Sequence, residues 1–426
     1  MSIKDPSDVV ALVVDNGLFV ELAVKLSKTF SKVYYHCAPG GAFPQINAAL
    51  IGDGMDGIEL VDSIYGSHFD EVDLVVFPDL FYGAEQEHLV ECGKAVWGAR
   101  MGECLELNRE GMKEVLNALD LPVGEYWVAN GVDELRDLLR AHQNVYVKSD
   151  KFRGTHETFY APNYKLARPK LDALALRLGG FQDRMKFIVE ASLADKVEIG
   201  TDGWVICGED GCVRPDQTLV GIEVKDCGYI GVVRPFSSIP EPITRFDSAM
   251  KPVFEAYGWR GFVSSENRIG SDKEPFMIDL CARAGSPPSE LYQELFSNIA
   301  ECIWYGANGI VVEPEPVAKY GAEIILFSQW LRDGWQPIDI PVDVRDSVKL
   351  RNSAIIDGMH YIIPQECGAI GVGAAIGTGD SVDEAFSNAI DVADQLRGCC
   401  LEWSRSIKAD IDAEVKKLSE YGLDVF

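Results

Sequence analysis

The sequence predicts a multidomain protein of mixed α/β and α+β class. Three observations carry this. The chain has 426 residues, 47% of them hydrophobic. Two strand–helix–strand patterns follow one another at its amino end, and a middle region holds more strand-like runs than helices, with turn residues between them.

"VVALVVDNGLFVELAVKLSKTFSKVYYH" gives the first pattern: a short apolar run, a turn at Asp15-Asn16-Gly17, apolar residues at helical spacing, and a second strand. "VDLVVFPDLFYGAEQEHLVECGKAVWGA" repeats it, with a loop after Pro78-Asp79. Residues 1–104 therefore read as a small parallel α/β domain. From 105 to 325, two helical segments accompany strand-like pieces such as "NVYVKSD", "MKFIVEASL", "KVEIGTDGWVICGED", "GYIGVVRPF" and "GWRGFVSSENRIG". Residues 326–426 read as a small closing domain. Its last strand-to-helix step carries a capping box at Ser381 and Glu384. The glycines before it, Gly371, Gly373 and Gly377, lack the dinucleotide spacing and read as turns.

Such a length supplies cores for two or three domains. The formal charge of −28 is spread along the chain and no basic stripe offsets it, so direct nucleic-acid binding is not expected. No apolar run is long enough to cross a bilayer, and a soluble cytoplasmic protein is expected. The 11 cysteines are scattered without metal-ligand spacing, which points to reduced, mostly buried thiols.

The chemistry is read from one hairpin. "RGFVSSENRI" and "PFMIDLCARA" flank the turn-forming "GSDKE". Pairing centred on that turn sets Glu266 across from Asp279, and two facing carboxylates call for a cation between them. Magnesium, held by one or two carboxylates and by substrate phosphates, suits the pair. Lys148 in a strand, followed by a basic loop with Arg153 and Gly154, suits polyphosphate. Glu190 ends an apolar strand whose connector can meet an adenine edge, and Glu198 beyond it can accept from ribose hydroxyls.

In this order the pieces resemble the ATP-grasp superfamily, with a whole-chain likeness to phosphoribosylamine–glycine ligases over roughly residues 8–398. The resemblance implies an ATP-grasp domain over 105–325 between a leading domain (1–104) and a closing domain with a terminal helix (326–426). It also assigns roles. Lys148 matches the strand lysine on the ATP phosphates; Glu190, Ala191, Ser192 and Leu193 match the adenine hinge; and Glu198 matches the ribose acid. Glu266 and Asp279 match the magnesium carboxylates, Arg283 the phosphate-binding arginine, and Arg109 stands where an upstream lysine contacts phosphate. Cys281 replaces a metal-binding asparagine, and a neutral thiol is a poor ligand for a hard cation. The sugar-phosphate loop is replaced by "DNGLFVEL", which separates this chain from glycinamide ribonucleotide synthesis.

The implied activity joins a small carboxylate to an amine through an acyl phosphate, with ATP and Mg2+ as cofactors and Arg283, Lys225 and Arg234 gripping substrate. The alternative is a catalytically inactive ATP-binding sensor or assembly subunit. A dinucleotide-dependent oxidoreductase is disfavoured, because "VVDNGLFVEL" lacks the glycine fingerprint. Self-association is left open.

Overall fold

The structure is a computed structural model that describes residues 3–37, 50–150, 158–209, 211–332, 334–365 and 370–426. The described chain forms two compact units. One comprises residues 1–103, 198–265 and 281–426, the other residues 104–197 and 266–280. This division groups residues by proximity, whereas the three segments read from the sequence follow chain order.

The first unit opens with a five-stranded parallel sheet in the order Ile58–Leu60, Lys32–Cys37, Val10–Asp15, Leu74–Val76, Ala95–Trp97. Its central strands are apolar on both faces, as parallel strands covered on both sides must be. Ala11, Val13 and Val76 enter one core cluster, and Leu12, Val14 and Val75 enter another. Helices Val20–Ser27 and Gly83–Glu91 make the crossovers. The chain order reverses between Val10–Asp15 and Leu74–Val76, so Asp15 and the Pro78-Asp79 loop flank the switch point of the sheet.

A large sheet follows in the same unit, mostly antiparallel: Arg260–Ile269, Val197–Gly208, Gln217–Val224, Gly228–Pro235, Tyr320–Ser328, Gly371–Gly379 and Val348–Leu350. The register aligns Gly200, Gly221, Gly231 and Gly321 in one row across four neighbouring strands. The row is close-packed from above. A Cβ on Gly221 would meet the Tyr229 ring, one on Gly231 would meet Leu219, and one on Gly321 would meet Leu291. Lying across Gly221, Tyr229 reaches Asp202 and donates to its Oδ2 at 2.6 Å. Burial pushes the Asp202 carboxyl up to about 6, although Tyr229, Ser264 and Arg214 oppose the shift.

Two expectations are corrected here. The run Gly371–Gly379 is a strand, not a set of turns. Its glycines are dictated by contact: a Cβ on Gly373 would lie 2.0 Å from the Lys349 carbonyl oxygen, and one on Gly377 would lie 2.2 Å from that of Ala385. Half of the capping box stands, with Ser381 accepting from the Glu384 amide at the start of helix Val382–Gln395, while the Glu384 carboxylate accepts from the Asp380 amide at 2.8 Å instead of that of Ser381. Secondly, Cys207 and Cys212 are joined by a disulfide. They sit directly opposite one another on the antiparallel strands Val197–Gly208 and Gly211–Val213, a facing that depends on pairing rather than on spacing. Cys37, Cys92, Cys104, Cys227, Cys281, Cys302, Cys399 and Cys400 are outside any disulfide, as expected, but only Cys281 and Cys302 of these are buried, and Cys92, Cys399 and Cys400 are exposed.

The second unit carries an antiparallel sheet in the order Tyr126–Asn130, Lys186–Ala191, Val145–Ser149, Thr158–Ala161. Helices Val132–Ala141 and Tyr164–Leu178 pack on one face, burying Leu135, Leu139 and Leu171 against Val145, Val147, Phe187 and Val189. Strand alternation then sends the even-numbered Lys148 and Glu190 to the opposite face. Among the described residues no helix is long and apolar enough to cross a membrane.

Candidate functional site

That opposite face is where the second unit gathers charge. Lys148 Nζ lies 3.0 Å from Glu190 Oε2 and 2.9 Å from Asp279 Oδ2, and donates to the Ile278 carbonyl at 2.8 Å. Arg109 Nη1 pairs with the other Asp279 oxygen. Lys113 Nζ pairs with Glu190 Oε1 at 2.5 Å. The five side chains therefore alternate in sign: Lys113, Glu190, Lys148, Asp279, Arg109.

Each position has a local cause. Asn108 caps helix Arg109–Ala118 by accepting from the Gly111 amide at 3.0 Å, which fixes the first turn and the Arg109 backbone. Lys113 is four residues further on, one turn along the same face. Glu190 ends its strand, and Asp279 comes from the strand Pro275–Cys281, the neighbour of Arg260–Ile269 in sheet order.

All five are largely withdrawn from water, so their charges persist only by mutual support. Burial alone would raise the Asp279 carboxyl, but the Arg109 and Lys148 cations hold it well below the usual range. Burial likewise opposes the charge of Glu190, and Lys148 and Lys113 outweigh it, leaving the carboxyl lowered. Lys148 is raised, because Asp279 and Glu190 overcome its own desolvation. The cavity among these residues is about 20 Å3, room for a water molecule rather than a purine. Buried Glu106 lines the same cavity, so three cations stand among three carboxylates and the charges of the cluster balance.

The remaining expected residues are placed as follows. The Ala191 amide donates to Glu125 and the Ser192 amide to Asn144, each at 3.0 Å, and the Leu193 carbonyl accepts from Lys196. Glu198 is half-buried near the start of its strand, and Glu266 is half-buried in Arg260–Ile269. Arg153 and Gly154 lie outside the described residues. In the first unit Arg283 donates to the Ala284 carbonyl at 3.0 Å, with Nε 4.0 Å from Asp79. Lys225 is exposed in the turn after Gln217–Val224. Arg234 is committed elsewhere: its Nη1 donates to the carbonyls of Asp424 and Val425, tying down the chain end.

The sequence places Lys113 near Arg109 as a second charge at the phosphate-contacting position, one helical turn on, but does not show its pairing with Glu190. Nor does it mark the switch point of the parallel sheet. There, buried Asp15 accepts from the Phe19 amide and the Tyr35 hydroxyl, and Asn16 bridges Asp79 and Tyr82. Burial, and then the neighbouring Asp79 charge, push the Asp15 carboxyl up to about 6.

The chain has the fold of the ATP-grasp proteins. In particular, it is similar to phosphoribosylamine–glycine ligase from Thermotoga maritima, with a TM-score of 0.63 and 17% identity over 93% of this chain and 99% of that one. A biotin carboxylase–ATP complex from Campylobacter jejuni gives a TM-score of 0.63 at 13% identity, covering 98% of each chain. The biotin carboxylase domain of a Hydrogenobacter thermophilus 2-oxoglutarate carboxylase, a dimer in complex with MgADP, ADP and bicarbonate, gives 0.66 at 11% identity, also covering 98% of each. No protein-family profile and no curated protein matches the sequence.

Proposed function

We propose that the protein is an ATP-dependent carboxylate–amine ligase of the cytoplasm. The observation that carries this reading is the buried alternating cluster of Arg109, Lys113 and Lys148 with Glu190 and Asp279, present in a fold shared with a phosphoribosylamine–glycine ligase and with biotin carboxylases in complex with ATP or MgADP. Lys148 and Arg109 would hold the nucleotide phosphates, with Lys113 keeping Glu190 neutralised as Lys148 shifts. The hinge Glu190–Leu193 would take the adenine and Glu198 the ribose. Arg153 and Gly154 would cover the phosphates.

Asp279 and Glu266 have the hard oxygen donors that magnesium takes, and the ion would supply charge neutralisation on the phosphates. Cys281 adds no hard ligand. The chain's own work is positioning and electrostatics. Lys148 would oppose the negative charge that spreads over the transferring phosphoryl group. Lys225 and Arg283 would grip the carboxylate, which accepts the γ-phosphoryl group from ATP as ADP leaves. The amine nitrogen then attacks the acyl carbon, the acyl–oxygen bond to phosphate breaks, and the amine loses a proton. Arg234, bonded to the chain end, is left out of this assignment.

The test is incubation with Mg-ATP and pools of small carboxylates, using hydroxylamine as the trapping amine and reading ADP and hydroxamate. Carboxylate-dependent hydroxamate is expected, falling about 100-fold or more in Lys148→Met. Tight nucleotide binding with no hydroxamate from any carboxylate would replace the ligase with a nucleotide sensor.

A further inference from the structure

The first unit holds a cavity of about 630 Å3 that none of the residues discussed above lines, apart from Gly377. Its volume falls within the range of small-molecule sites, roughly 300–1,000 Å3. Six polar side chains line it, among them Ser297, just beyond helix Ser289–Leu295. Lys25 comes from the last turn of helix Val20–Ser27 and Glu294 from the end of helix Ser289–Leu295. Ser347 precedes the strand Val348–Leu350, Thr378 is in Gly371–Gly379, and Asn388 is in helix Val382–Gln395. Ile376, Val317 and Val392 supply apolar wall.

The lining carries one ammonium, Lys25, and one carboxylate, Glu294. Lys349, buried behind the wall, donates to Glu294 Oε1 at 2.8 Å and so neutralises it. Lys28 is paired with Asp346 at 2.8 Å. Lys25, on the same carboxylate as Lys349 but at 3.5 Å, is left as the surplus. Two ammonium groups, Lys25 and Lys349, thus share the one carboxylate on the lining, while Glu315 stands behind Ser297, whose hydroxyl donates to its Oε2 at 3.4 Å. The lining also carries the hydroxyls of Ser347 and Thr378, which both donate and accept. The Asn388 amide is oriented by its donation to the Thr378 carbonyl at 2.8 Å, which leaves the amide oxygen as an acceptor.

A surplus ammonium with paired hydroxyls and an amide acceptor selects for a ligand with an anionic end and a hydroxylated body. Apolar walls with few convergent polar groups are the usual composition of a small-molecule site. We infer that this cavity is a second ligand site, which takes a small hydroxylated organic anion with its negative group on Lys25 and its hydroxyls on Ser347, Thr378 and Asn388. The inference does not depend on the ligase reading, since no group of the candidate nucleotide site lines the cavity.

Calorimetric titration of the full-length protein distinguishes the two sources of negative charge, with glucose 6-phosphate as the phosphorylated probe, gluconate as the carboxylated probe and glucose as the neutral control. At least one anion should saturate with a Kd below ~1 mM and weaken with added salt, while glucose should not bind. Lys25→Met and Asn388→Ala should each raise that Kd about tenfold, the loss of one charge-assisted or neutral contact. Lys148→Met should leave it unchanged. The inference is overturned if neither anion saturates by ~10 mM, if both cavity variants bind as the parent does, or if Lys148→Met removes the binding and so places it at the nucleotide site.

Discussion

Replacing Asp279 with asparagine removes a carboxylate that Arg109 and Lys148 share. Deleting one partner of a buried ion pair costs about 3–5 kcal/mol, because the other charge is left unpaired. Asp279 keeps 27% of its side chain exposed, so water recovers part of this, and roughly 2–3 kcal/mol is expected. That corresponds to a roughly 30- to 150-fold more frequent opening of the second unit. Hydrogen exchange of the strands Val145–Ser149 and Lys186–Ala191 reads this directly, since exchange of core strands follows the free energy of opening.

The same substitution has an opposite effect on ligands. With one carboxylate fewer, the three cations of the cavity gain one unit of net positive charge, so ATP without metal should bind about tenfold tighter than to the parent. The gain that Mg2+ gives the parent should shrink or vanish, because a carboxylate ligand has gone. Calorimetry with and without Mg2+ separates these effects. Unchanged exchange together with weaker metal-free ATP binding would show that the alternating cluster does not hold the phosphates, and the reasoning would fail.

Two further outcomes rest on other parts of the fold. Asp202, buried and shifted up to about 6, keeps its proton in the folded chain after the unfolded chain has lost it. Stability should therefore fall by roughly 3 kcal/mol as pH rises from about 4 to 6 and level off above that. Asp202→Asn keeps an acceptor for Tyr229 and should flatten this part of a urea-denaturation profile; identical profiles would refute the assignment. Gly377→Ala would bring a methyl group to 2.2 Å from the Ala385 carbonyl oxygen and 2.3 Å from the Ala389 amide nitrogen. A loss of about 1–3 kcal/mol in denaturant stability is expected, and a change within ~0.5 kcal/mol would mean that the helix yields freely.

Much of the architecture was legible because periodicity reports which face of a strand is buried. The two amino-terminal strand–helix–strand units, the hairpin around "GSDKE", and the placement of Lys148 and Asp279 all follow from alternation and turn chemistry. What was not legible depends on pairing between distant segments. The Cys207–Cys212 facing needs the hairpin register. The glycines of Gly371–Gly379 look like turn residues until helix Val382–Gln395 is seen lying against them. The hold of Arg234 on Asp424 and Val425 spans 190 and 191 residues, a distance no local pattern encodes. The nearness of Lys113 to Arg109 is local and legible, whereas its pairing with Glu190, from another element, is not.

The glycine row through Gly200, Gly221, Gly231 and Gly321 constrains how this chain can evolve. Inserting or deleting one residue in any of the four strands would slide a methyl or larger group into a slot already filled by Tyr229, Leu219 or Leu291. Length variation among relatives should therefore collect in the connecting turns while the four strands keep their residue count. In an alignment of distant members, these columns would act as fixed ruler marks where overall identity has faded.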